Sequence, residues 1–144
     1  MTPLPRVLFV CVENSNRSQM AEAFARMHGA GSLEAVSAGS RPSGKLNPRA
    51  IEAMRERGYD LARHASKSLE EIPAGEYAAA ITMGCGDACP LVQAALREDW
   101  QLPDPREMAP VEFRKVRDEI EARVLALLAR LGVQHGAPNR SSAP

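Results

Sequence analysis

The hydrophobic pattern changes period several times along the chain, and each change predicts an element. Residues 6 to 10, RVLFV, are a continuous apolar run rich in β-branched and aromatic side chains, which reads as a buried strand. CVENSN follows, and its Asn and Ser favour a turn. From Arg17 to about His28, Met20, Ala23, Phe24 and Met27 recur at helical spacing, and Gly29 and Gly31 end the predicted helix. Residues 33 to 38, LEAVSA, read as a second strand stopped by Gly39. After the turn-rich SRPSGKLN, Asn47 is a predicted N-cap with Pro48 at the first helical position, and PRAIEAMRERG closes on Gly58. EYAAAITM gives a third strand ending at Met83.

GCGDACP, residues 84 to 90, has two glycines and a proline and reads as a loop. A helix from roughly Pro90 to Glu98 and a short strand around Trp100 are expected next, then the loop LPDP. Pro110 to about Leu131 is a long amphipathic helix with Phe113, Val116, Ile120, Val124, Leu127 and Leu128 on its apolar stripe. Residues 133 to 144, VQHGAPNRSSAP, read as a disordered tail, which leaves 1 to 132 as one domain. Strand alternating with helix predicts an α/β fold with a parallel sheet. Ligands bind such sheets at the carboxyl ends of the strands. Cys11 and Cys85 both fall just past predicted strand ends and so share one rim.

Charge narrows the function classes. The 18 basic and 18 acidic side chains cancel, so no overall field draws nucleic acid or an anionic membrane, and an anion site has to be built locally. Arg106, Arg114, Lys115 and Arg117 interleave with Glu112, Asp118, Glu119 and Glu121, which reads as a solvated face of paired charges rather than a nucleic-acid surface. No apolar run approaches the ~20 residues a membrane span needs. MTPLPRVLFVCVEN lacks a signal-peptide pattern, so a cytoplasmic location is expected. The three cysteines, Cys11, Cys85 and Cys89, are an odd number, which argues against a structural disulfide framework.

The candidate chemistry lies in Cys11-Val12-Glu13-Asn14-Ser15-Asn16-Arg17-Ser18, set between a predicted strand and a predicted helix start. Amides at a helix N-terminus are unpaired and carry partial positive charge, so a loop wrapped there makes a nest for a tetrahedral oxyanion. The same donors stabilise a thiolate at its centre. Arg17 adds a planar fork that can grip two oxygens, and Ser18 can donate to the sulfur. Cys85 and Cys89, four apart between glycines and a proline, admit three readings: inert core residues, metal ligands or a redox pair. Zinc needs two more ligands, and His28, His64 and His135 show no ligand spacing. Asp104, held out of helical geometry by Pro105, reads on composition alone as an ordinary loop aspartate.

LFVCVENSNRSQMAEAFAR resembles the active-site loop of the low-molecular-weight tyrosine-phosphatase family, and RSQMAEA resembles its arsenate-reductase branch. The resemblance implies a four-stranded parallel sheet flanked by helices. It implies Cys11 as nucleophile, Arg17 as oxyanion clamp, Asn14 as loop-shaping residue and Ser18 as donor to the thiolate, with Glu13, Ser15 and Asn16 completing the oxyanion-binding loop. It implies Asp104 as general acid. It further implies a relay: Cys11 attacks arsenate, Cys85 attacks Cys11 as arsenite leaves, and Cys89 attacks Cys85 to give a disulfide that thioredoxin reduces.

The chain departs from many relatives at Glu13, where they carry glycine, and at Asn16, where they carry cysteine. A carboxylate at Glu13 would repel an anion unless it points to solvent. Arg106-Glu107-Met108 replaces the tyrosines that follow the Asp-Pro of phosphatases, which disfavours phosphotyrosine. No cofactor is implied and no metal is expected. Some reductase relatives bind potassium, and Asn14, Glu22 and Ser37 match three ligand positions, but Lys67 falls on the acidic fourth and could replace the cation. Phosphomonoester hydrolysis by Cys11, Arg17 and Asp104, arsenate transfer to a small thiol such as glutathione or mycothiol, and a non-catalytic oxyanion or redox sensor stay open as alternatives.

Overall fold

The computed structural model describes residues 4–83 and 93–133. The elements are β1 (Arg6–Cys11), α1 (Arg17–His28), β2 (Glu34–Gly39), α2 (Pro48–Arg55), one-turn 3-10 helices at Leu61–Arg63 and Leu69–Glu71, β3 (Tyr77–Thr82), β4 (Ala94–Asp99) and α3 (Pro110–Arg130). The strands form one sheet in the order β2-β1-β3-β4, and every pairing is parallel. β1 is central because its side chains are apolar on both faces. Val7, Phe9 and Cys11 face one core with residues of α1, α2 and α3, while Leu8 and Val10 face a smaller one with Ala38 and Tyr77.

α2 begins where local chemistry says it should. Asn47 caps α2 by accepting the Arg49 N–H at 2.9 Å, with Pro48 next. The helix stops at Arg55, and a turn carries the chain to Gly58, whose φ of 82° suits glycine. The apolar stripe read on α3 is buried in full, and Trp100 packs against Phe9 with ring centroids 6.0 Å apart.

Four expectations are corrected. The helix expected up to Glu98 is a strand over Ala94–Asp99, and Trp100, where a separate short strand is expected, lies just past its end. Ala, Leu, Arg and Glu favour helices intrinsically, but pairing with β3 prevails. Exposure alternates residue by residue along β4, as on an edge strand. Arg117 is not a solvated helix side chain: it is buried between α2 and α3, donating to the Ala53 carbonyl at 3.0 Å and to Glu56 at 2.7 Å. Glu121, read on the same face, is also buried. Gly84 to Pro90, including Cys85 and Cys89, and residues 134–144 of the expected tail lie outside the described residues.

Candidate active site

The turn between β1 and α1 is organised by where its carbonyls go. The Val12 carbonyl accepts from the Arg41 N–H at 2.8 Å, that of Ser15 from the Asn47 N–H at 3.1 Å and that of Asn16 from the Met20 N–H at 2.9 Å. The Glu13 carbonyl takes the Ser43 N–H and the Ser66 hydroxyl, and the Asn14 carbonyl takes the Gln19 side chain at 3.1 Å. With every carbonyl from Val12 to Asn16 engaged, no backbone N–H from Val12 to Ser18 reaches an acceptor among the described residues. Among the described residues α1 has no side-chain cap, its first turn holds no acidic residue, and Asn16 Oδ1 is buried without a partner. A helix start with free amides and no cap of its own is a site for an anion.

Cys11 is a free thiol, 3% exposed, at the end of β1. Its Sγ lies 2.9 Å from Ser18 Oγ. The Lys67 backbone N–H donates to Asn14 Oδ1 at 2.9 Å, which fixes the Asn14 amide so that Nδ2 donates to Ser18 Oγ at 2.8 Å and to Ser37 Oγ at 3.0 Å. Ser18 accepts from Asn14 and keeps its own proton, so against a Cys11 thiolate, which has no proton to give, Ser18 is the donor. Asn14 is fully buried and holds φ 52°, a left-handed conformation that asparagine tolerates. Behind it, Gly39 leaves no room: a Cβ there would sit 2.6 Å from the Val12 carbonyl oxygen.

A second layer of polar groups holds Asn14. Gln19 Nε2 donates to Asn14 Oδ1 and to the Ala65 carbonyl, both at 2.9 Å, so its Oε1 must accept, from His64 Nδ1 at 2.8 Å. His64 Nε2 then accepts the Tyr59 hydroxyl at 2.6 Å. Burial lowers the His64 pKa and raises that of Tyr59, which favours the neutral ring and intact hydroxyl the chain of bonds requires. Sequence reading did not single out Gln19, His64 or Tyr59. The available signal was a glutamine on the buried side of α1, one position past Ser18.

Cys11, Glu13, Ser15, Asn16, Arg17, Arg41, Asp104 and Arg106 line one cleft of about 280 Å³. Asp104 therefore opens on the same space as the thiol, although 93 residues separate them in sequence. Arg17 Nη1 donates to the Leu102 carbonyl at 3.0 Å, which ties it to the loop that bears Asp104. Arg106, read as part of a basic helix face, instead stands in this loop and pairs with Glu13 at 2.6 Å. β3 lies beside β1, with the Met83 N–H on the Val10 carbonyl at 2.8 Å, so the chain reaches residue 83 on the rim that carries Cys11.

The three positions matched to a potassium site do not fit one. Asn14 Oδ1 already takes two N–H donors. Glu22 accepts the Ser37 hydroxyl at 2.6 Å and pairs with Arg26 at 2.7 Å, and the Lys67 ammonium stands 3.9 Å from it. Among the described residues no cluster of His, Cys, Asp and Glu could hold a metal, and no helix is long and apolar enough to cross a membrane.

Comparison with known proteins bears on this arrangement. The model of the low molecular weight phosphotyrosine protein phosphatase family matches residues 6–136. A glutaredoxin arsenate reductase from Synechocystis sp. is 40% identical over 131 residues, which cover 89% of this chain and 99% of that protein. A solved arsenate reductase in the phosphate binding state superposes with a TM-score of 0.81 at 40% identity, covering 88% of this chain and 98% of the other. A thioredoxin-dependent arsenate reductase from Corynebacterium glutamicum superposes with a TM-score of 0.76 at 32% identity, covering 91% of this chain and 63% of that one.

Proposed function

The chain belongs to the low molecular weight phosphotyrosine protein phosphatase family, and from that premise we propose that it is an arsenate reductase in which Cys11 carries the first step. The observation that supports this most is a turn whose amides are unpaired among the described residues, beside a thiol 2.9 Å from the Ser18 hydroxyl. Arsenate enters with its oxygens on the amides and on the N–H groups of Arg17 that Leu102 does not take. Cys11 attacks arsenic, an As–S bond forms and one oxygen leaves as water. Asp104, on the same cleft, supplies the proton for that oxygen.

Reduction needs a second thiol. Cys85 attacks Cys11 Sγ, the As–S bond breaks, and its electron pair stays on arsenic, which leaves as arsenite. The two sulfurs supply both electrons and emerge as a disulfide. Cys89 then attacks Cys85, freeing Cys11 and leaving a Cys85–Cys89 disulfide for an external dithiol. Phosphorus(V) resists this reduction by thiols, so the resolving pair is what separates the reaction from phosphate-ester hydrolysis. Thioredoxin is the proposed reductant. Glutaredoxin is the second reading, because a relative at 40% identity is named for it.

The test is arsenite production by the full chain with thioredoxin, glutaredoxin with glutathione, and mycothiol systems in parallel. C11S should abolish turnover with all three. C85S and C89S should stop thioredoxin-driven turnover while sparing any hydrolysis of a small aryl phosphate. Normal reduction by both variants with a small thiol would replace the relay with direct transfer. Turnover by C11S would end the reading.

A further inference from the structure

Two charges from separate loops, Glu13 and Arg106, meet in space. Glu13 places a carboxylate in a loop whose amides gather negative charge, and alone it would oppose an oxyanion. Its Oε2 lies 2.6 Å from Arg106 Nη2, and the same nitrogen stands 3.7 Å from Asp104 Oδ2. The Arg106 backbone N–H donates to Asp104 Oδ1 at 3.0 Å. The Arg106 and Met108 carbonyls accept from Arg49 Nη1 on α2, so the backbone that presents this guanidinium is itself held. Glu13, Asp104 and Arg106 all line the cleft above Cys11.

We propose that Arg106 and Glu13 form a clasp across the mouth of the cup, with Arg106 as a positioning residue for the oxyanion. The clasp does two things. It cancels the Glu13 charge so that a small inorganic oxyanion, such as arsenate or phosphate, enters a mouth of no net repulsion. It also ties the Asp104 loop to the Cys11 loop. With side chains 49% and 36% exposed, the pair adds little to folding stability. Its effect is on the local field seen by a doubly charged ligand. The inference rests on the reading of the Cys11 cup as an oxyanion site.

The experiment is calorimetric titration of inorganic phosphate, then arsenate, into the full chain as wild type, R106Q, E13Q and E13Q/R106Q. One unopposed carboxylate at the mouth weakens binding of a divalent anion by about ten-fold, so R106Q should show that loss, and the loss should shrink in high salt. E13Q should bind as well as wild type or better. The double variant should recover most of that loss, because Glu13, the nearer of the two carboxylates beside Arg106, is gone and only Asp104 keeps its charge. A double variant as weak as R106Q would mean that Arg106 acts on the anion or on Asp104 and not through Glu13, and R106Q binding like wild type would mean that it does nothing there. Either result overturns the clasp and leaves the oxyanion reading intact. A wild type that binds neither anion overturns the oxyanion reading, and the clasp with it.

Discussion

Asn14→Ala tests whether the cup is held by side-chain hydrogen bonds or by the turn backbone alone. Asn14 makes four bonds inside the protein: Nδ2 to Ser18 and Ser37, and Oδ1 from Gln19 and the Lys67 N–H. Each buried bond contributes about 1 kcal/mol net, and a buried donor left without an acceptor costs about 1–3 kcal/mol. Gln19 keeps its other acceptors, but the Lys67 N–H loses the one found for it. Alanine at φ 52° adds roughly 1 kcal/mol more. Four bonds and the backbone strain sum to about 5 kcal/mol even before the unpaired Lys67 N–H is counted, a large part of the 5–15 kcal/mol typical of a domain. Urea unfolding followed by the fluorescence of Trp100, itself 4% exposed, should show the midpoint falling by about 2 M. Asn14→Gly, which relieves the backbone and not the hydrogen bonds, should recover only about 1 kcal/mol. If N14A loses less than about 1 kcal/mol, or N14G matches wild type, the network described here does not hold the loop.

Other expectations follow from the same contacts. Folding depresses the His64 pKa below 6.5, so the unfolded chain takes up that proton first. The His64 contribution to stability is therefore complete above about pH 7 and is lost as pH falls from 6.5 toward the folded value; thermal melts of H64Q should show a shallower acid slope, and an identical slope would dismiss the idea. S18A removes the donor to Sγ. A hydrogen bond to a charged group contributes about 1.5–3 kcal/mol, so arsenate turnover should fall about ten- to a hundred-fold, and unchanged single-turnover rates would count against the role. With Lys67 beside Glu22, replacing sodium by potassium chloride should leave the melting temperature and turnover unchanged; a rise of several degrees would show that a cation does bind.

The strand–turn–helix unit could be read from the sequence because an apolar run, a turn and a helical repeat follow one another within 23 residues, from Arg6 to His28. The stripe on α3 could be read for the same reason, since 3.6-residue periodicity is a local property. β4 could not. AALRED carries helix-forming residues, and only β3, which it pairs with through residues distant in sequence, makes it a strand. The polar layer behind the cup was hidden too. Gln19 lies on α1, while Tyr59 and His64 flank the one-turn helix at Leu61–Arg63, and nothing in the sequence announces that the two segments touch. The exposed-looking charges Arg106 and Arg117 were misplaced because charge interleaving does not tell a solvated guanidinium from one that bridges two elements.

Arg17 has one consequence for how substrate and acid are matched. A guanidinium is flat and rigid, and one of its nitrogens already grips the Leu102 carbonyl, two residues before Asp104. Whatever oxygen the other nitrogens hold is then referred to the same plane as that loop. Ligand and proton donor share a common gauge, so thermal wobble of the Asp104 loop moves both together instead of pulling them apart.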